Sequence, residues 1–346
     1  MQRKLSNYIA LSHYIAKVLK KTIRKLKFSP CLFIGVNMTK YPVHPDFKKV
    51  SMKLSLNPLF LLASQPVTKL LYIMQKSDPG ILWNRRRIKS YDGAEISADI
   101  FSPKNTRGPL PCLLFIHGGG FVFHGIGYHK TIASMFAKNI PCKVVSVNYR
   151  LAPQFVYPTA LEDCYSALLW VKNNAESLNI DSSRIGVCGD SAGGNLAAAL
   201  AQAARDRGNN LLFQLLVCPA LDARMQTESM KNFPDTPVWN STLNEKMWKL
   251  YKGNKKPEDL TYASPAEMQN LKDLPPAFIE VNEFDCLRDE GIEYHERLIK
   301  AGVSSELNNT KGTIHGVELN FSSPVTQDMI AKRIAFAKNM FSFTKQ

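Results

Sequence analysis

The chain has 346 residues and is 45% hydrophobic, enough for a large core in either two domains or one α/β unit. Seven cysteines, an odd number without paired spacing, argue against a disulfide framework and for reduced, buried thiols; no Cys-x-x-Cys or His-Glu-x-x-His pattern points to a metal. The net charge of +15 is unevenly placed, with nine Lys or Arg before the first acidic residue, Asp46.

Among those basic residues Leu5, Ile9, Ile15, Leu19 and Leu26 recur at near-helical spacing, which reads as a basic amphipathic helix. Such a helix either packs on the protein with its basic face solvated or makes peripheral contact with an anionic membrane. Tyr8, Ser12, His13 and Lys17 interrupt any signal-peptide core, and no run is long enough to span a bilayer. A cytoplasmic protein, membrane-associated if that helix docks, is the expectation. No nucleic-acid module is recognisable, so no nucleic-acid partner is expected.

Residues 1–80 read as a helical N-terminal region that ends in the turn signal Ser77-Asp78-Pro79-Gly80. Two strand-like runs then flank Asp92-Gly93, a hairpin pattern. Short apolar runs at 112–116, 144–149, 185–188, 213–218 and 278–281 follow at intervals that leave room for helices. This alternation predicts a parallel sheet covered on both faces, with ligands at the carboxyl ends of its strands. From about 224 to 262 the alternation pauses around the helical pattern 241–251; this insertion and the N-terminal region are expected to form a lid.

Two motifs sit at predicted strand ends. The run 112–116 leads into His117-Gly118-Gly119-Gly120, where a strand has no use for three glycines. The run 185–188 leads into Gly189-Asp190-Ser191-Ala192-Gly193-Gly194 and then an alanine-rich helix, so Gly-x-Ser-x-Gly falls between a strand and a helix. That setting makes Ser191 a nucleophile held on a sharp turn, with Gly189 and Gly193 small because backbones pass close by. The glycine loop then supplies bare amides: Gly118, Gly119 and Ala192 are expected to face a developing oxyanion.

With both motifs in place, residues 80–320 resemble the hormone-sensitive-lipase branch of the α/β-hydrolases, the bacterial carboxylesterase group. The similarity extends over Asn148-Tyr149-Arg150-Leu151-Ala152-Pro153, Ala263-Ser264-Pro265, Leu274-Pro275-Pro276-Ala277, Asp285-Cys286-Leu287-Arg288-Asp289-Glu290-Gly291 and His315-Gly316. Gln154, Cys286 and Val317 depart from the family pattern around these matches. The resemblance implies an α/β-hydrolase fold in residues 81–346: a mostly parallel eight-stranded sheet, helices on both faces and a helical cap. It implies a serine esterase without a cofactor that hydrolyses short-to-medium acyl esters through an acyl-serine intermediate. The family order of nucleophile, acid and base implies Ser191, Asp285 and His315.

Only His295 and His315 follow the expected acid, and His295 falls in a helical pattern, so His315 is favoured as the base. Asp285 follows the apolar run 278–281; Glu283, Asp289 and Glu290 are alternatives, the last two suiting a helix start. His117, Gly120 and Asp190 are expected to support the motifs rather than move protons. Phe121, Phe123, Phe155 and Tyr157 are pocket or core residues with nothing in the sequence to choose between the two. An amidase or deacetylase with the same three groups would share the first chemical step. A ligand receptor on the same fold would lack the base, against which His315 speaks.

Overall fold

A computed structural model describes residues 40–342 except 51, 53 and 257–259. The expected basic helix in the first 39 residues therefore lies outside the described residues. Among the described residues eight strands form one sheet: β1 (Ile81–Lys89), β2 (Glu95–Pro103), β3 (Leu110–Ile116), β4 (Lys143–Asn148), β5 (Ile180–Asp190), β6 (Gln214–Val217), β7 (Ala277–Phe284) and β8 (Ser305–Ile314). Their spatial order is β1-β2-β4-β3-β5-β6-β7-β8. β1 pairs antiparallel with β2 through the hairpin at Asp92-Gly93, and β2 antiparallel with β4. The pairs from β4 to β8 are parallel.

Alternation along the strands divides the core in two. Cys112, Leu114 and Ile116 face one cluster while Leu113 and Phe115 face the other. The same switch recurs at Val187 and Cys188, and at Ile279 and Phe278. The first cluster is covered by α3 (Thr159–Asn173), α4 (Ala192–Asp206) and α7 (Arg288–Lys300) through side chains such as Leu168, Leu196 and Leu298. The second is covered by α2 (Gly127–Asn139) and α8 (Pro324–Ser342) through Phe136 and Phe336. Short strands that are apolar on both sides are the consequence of being buried on both sides.

Three further helices lie near the carboxyl ends of the strands. α1 (Pro58–Met74) precedes the sheet; α5 (Glu228–Asn232) and α6 (Ser241–Lys252) fill the segment between β6 and β7. The early segment and this insertion are tied together. The Tyr41 hydroxyl donates to Asp235 Oδ1 at 2.5 Å, and the Val238 amide donates to the Met52 carbonyl at 3.1 Å.

One ion cluster is buried beneath the sheet's end. Arg333 of α8 donates Nε to Glu280 Oε2 of β7 at 3.0 Å, and its Nη1 lies 2.6 Å from Glu318 Oε1. All three are shielded from solvent, so removing the guanidinium strands two carboxylates in the interior. Arg333→Met is expected to lower the unfolding free energy by about 3–5 kcal/mol, read from urea melts at neutral pH.

Candidate active site

Ser191 links β5 to α4 with φ 56° and ψ −119°, a conformation that non-glycine residues seldom adopt and that costs about 1–3 kcal/mol. Its amide donates to the Val217 carbonyl of β6 at 2.8 Å, and its own carbonyl accepts from Asn195 and Ala220. Close backbone crossings explain the flanking glycines. A Cβ at Gly189 would strike the Gly193 carbonyl, and one at Gly193 would strike the Ile116 carbonyl of β3. The turn is thereby pressed against the start of the glycine loop.

The Ser191 hydroxyl lies 3.0 Å from His315 Nε2, and His315 Nδ1 lies 2.7 Å from Asp285 Oδ2. Asp285 directly follows β7 and is fully buried; its other oxygen accepts the Leu287 amide at 3.0 Å. His315 directly follows β8, and Gly316 at φ 75° turns the chain into a short helical turn, 317–320. That turn carries Glu318, so the buried Arg333 also anchors the segment next to His315. Burial by itself would lower the His315 pKa, but the Asp285 carboxylate overrides it and holds the imidazole well above 6.5. With Nδ1 donating to the carboxylate, Nε2 is left to accept the serine proton.

Of the alternatives weighed from sequence, His295 Nδ1 lies 2.8 Å from the Ser305 hydroxyl, away from Ser191. Glu283 accepts the Gly312 amide at 2.7 Å, and Asp289 accepts the Ser229 amide at 2.7 Å. Glu290 is buried and accepts the Leu221 amide at 2.6 Å.

The glycine loop departs from expectation at Gly118. Its amide donates to Asp190 Oδ1 at 3.0 Å, so it has no proton to offer an oxyanion. Asp190 also accepts from the Tyr128 hydroxyl at 3.0 Å and from His129 Nε2 at 3.2 Å. Burial would raise this carboxyl, yet His129, Tyr128 and the Gly118 amide hold it down at about 2. Asp190 is thus the anion that pins the glycine loop and α2 to the serine turn. His117 acts on the next peptide: its Nδ1 is 2.7 Å from the Gly118 carbonyl, and its ring stacks on Tyr149 at 4.4 Å. Burial pushes His117 down to about 3, so it is neutral.

These contacts fix two peptide planes. In a trans peptide the N–H points opposite to the preceding carbonyl. The Gly118 carbonyl is held by His117, which turns the Gly119 N–H the other way. The Gly119 carbonyl accepts from Val122 and Phe123, which does the same for the Gly120 N–H. Gly119 and Gly120 border the cavity containing Ser191, whereas Gly118 does not.

That cavity measures about 200 Å³. Its apolar wall comes from Met52, Leu54, Phe60, Phe123, Val238 and Trp239. Only Phe123 of the four expected aromatic residues is among them. Phe121 is fully buried and stacked on Tyr251 at 3.7 Å, and Tyr157 packs edge-on against the same ring. Phe155 lines a separate groove of about 790 Å³, with the Arg150 guanidinium 5.2 Å from its ring. None of these three borders the cavity that contains Ser191: Phe121, just past the glycine loop, and Tyr157, between β4 and α3, pack on Tyr251, and Phe155 lines the other groove.

Sequence reasoning also passed over Cys218, whose sulfur lies within 4.8 Å of the ligating atoms of both Asp285 and His315. It follows β6 at φ 36°, and burial pushes its thiol up to about 11. An apolar strand ending in cysteine carries no signal of this position. The distant wall residues Met52 and Trp239 were equally silent.

A family profile described as "alpha/beta hydrolase fold" matches residues 113–319. The chain is 39% identical over 256 residues to "Carboxylesterase NlhH" of Mycobacterium tuberculosis, covering 71% of this chain and 80% of that protein. It is 32% identical over 280 residues to "Arylesterase" of Saccharolobus solfataricus, covering 80% and 90%. The solved structure titled "Bacterial Heroin Esterase" superposes with a TM-score of 0.82 at 37% identity, covering 88% of this chain and all of that one. The strand order, the serine turn and these matches lead to one assignment: the chain belongs to the hormone-sensitive-lipase branch of the α/β-hydrolase family.

Proposed function

We propose that this carboxylic ester hydrolase cleaves short-to-medium acyl esters through an acyl-serine intermediate, with Ser191 as nucleophile, His315 as base and Asp285 as its orienting anion. The observation that carries the reading is the unbroken hydrogen-bond line from the Ser191 hydroxyl through His315 to the buried Asp285. Attack of Ser191 Oγ on the ester carbonyl sends its proton to His315 Nε2. Collapse of the tetrahedral adduct then returns that proton to the departing alcohol. A water activated by the same imidazole hydrolyses the acyl-serine and regenerates the hydroxyl.

The developing oxyanion is met by the amides of Gly119, Gly120 and Ala192. Gly120 takes the place first expected of Gly118, whose proton is committed to Asp190. Each such donor is worth about 100- to 1000-fold in rate. A 200 Å³ cavity corresponds to the volume of roughly six or seven water molecules, which suits a short acyl chain. The N-terminal segment with α1 and residues 224–262 serve as the cap, since Phe60, Val238 and Trp239 close this cavity over Ser191.

Ser191→Ala is expected to lower kcat by at least about four orders of magnitude on p-nitrophenyl esters, while unfolding stability is retained. Unchanged turnover would refute the mechanism. Across an acyl series, activity should peak at about four to six carbons and fall for chains of about twelve. Trp239→Ala, which enlarges the cavity, shifts that optimum to longer chains.

The pH profile tests the base. His315 must be neutral to accept a proton, and its pKa is raised, so kcat/KM climbs with pH through a midpoint above 6.5. Asp285→Asn removes the charge that raises it, moving the midpoint down and reducing kcat by about 10⁴-fold. Asp190→Asn leaves the Ser191–His315–Asp285 line intact but weakens the grip on the glycine loop. It should lower kcat by about tenfold with little change in KM or in the pH midpoint.

A further inference from the structure

Helix α1 turns an apolar side to solvent. At 100° per residue, Leu62, Val67, Leu70, Leu71, Ile73 and Met74 fall on one half of its surface, and that half faces solvent. Leu62 is 75% exposed, Met74 68% and Leu71 53%. Its protein side carries the buried Leu61 and Tyr72 together with the half-buried Ser64, Gln65 and Thr68. Ser64 and Thr68 border the catalytic cavity, and Gln65 donates to the Val122 carbonyl. A soluble helix normally places its apolar half inward. Six large apolar side chains exposed side by side, rather than scattered singly, mark a docking face.

We propose that the outward half of α1 seats the protein on an anionic lipid surface, with the helix lying in the plane of the interface. Charge complementarity selects this occupant. The helix carries no acidic residue and one basic one, Lys69, and exposed Lys76 follows its end. The 39 residues that precede the described chain contain eight Lys or Arg and no Asp or Glu. Basic residues beside an apolar helical face add about 1 kcal/mol each toward anionic headgroups. Among the described residues no helix is long and apolar enough to cross a membrane, which fits a helix that lies on the surface. Since Phe60, Ser64 and Thr68 wall the catalytic cavity from the same helix, docking brings that cavity within about one helix diameter of the lipid.

The test is co-sedimentation of the full chain with phosphatidylcholine vesicles, with and without phosphatidylserine. The wild type should bind the phosphatidylserine vesicles in a salt-sensitive way. A Leu62→Ser, Leu71→Ser, Met74→Ser variant should partition on the order of 100-fold more weakly. None of the three borders the catalytic cavity, so hydrolysis of soluble p-nitrophenyl acetate should be unchanged; that assay reports separately on the esterase reading. A second measurement does not depend on the triple variant folding. An environment-sensitive fluorophore on Leu71→Cys, compared with labelled wild type, should shift to the blue on phosphatidylserine vesicles. The proposal is overturned if the wild type does not bind, if the triple variant binds as well as wild type, or if the fluorophore does not shift. It is also overturned if the wild type is a dimer that the triple variant dissolves and neither form binds vesicles, because a second copy then covers the helix.

Discussion

The hydrogen bond from the Ser191 amide to the Val217 carbonyl is the contact on which the site is built. It holds a β-strand's last turn in a conformation that serine alone would abandon, and so lifts the hydroxyl clear of the sheet. The strain is tolerated because neighbouring backbones leave no other path. Gly193 lies against β3, Gly189 lies against Gly193, and α4 runs on from the turn with its alanines buried in the core. A strained residue needs surroundings that over-determine it, and here two strands and a helix supply them.

Two buried charges extend that rigidity to the remaining parts. Asp190, one residue before the serine, receives the Gly118 amide, Tyr128 and His129, so the glycine loop and α2 move with the serine turn as one body. On the other side Arg333 joins β7, which leads to Asp285, to Glu318, which follows His315. Asp285 and His315 come from adjacent strand ends that are cross-linked beneath the surface. The line from Ser191 through His315 to Asp285 is set by these anchors because each fixes a segment by its backbone or by a deeply buried group.

The cap obeys different physics. Its contribution to the cavity is a mostly apolar wall, Phe60 with Ser64 and Thr68 from α1 and Val238 and Trp239 from the insertion, tied by polar contacts such as the Val238 amide on Met52. Apolar packing is non-directional, which lets the wall differ in shape while the reacting groups stay fixed. The exposed apolar face of α1 belongs to this layer: the helix that contributes Phe60, Ser64 and Thr68 to the cavity also presents Leu62 and Met74 outward.

Sequence determined what depends on local patterning and on chemistry with few substitutes. Strands apolar on both sides foretold the doubly covered sheet, Asp92-Gly93 foretold the hairpin, and Gly-x-Ser-x-Gly placed Ser191 on a sharp strand-to-helix turn. The family resemblance implied Asp285 and His315, and these lie in line with Ser191. What only the tertiary structure decided is direction and company. Which glycine amide is free depends on where the Asp190 carboxylate points, because a backbone proton can be claimed by one acceptor, and no residue name records that. Phe121, Phe155 and Tyr157 lie elsewhere, while Trp239 and Met52 converge on the cavity from distant segments. The outward face of α1 was equally hidden, since a run of leucines has the same composition whether it faces the core or the solvent.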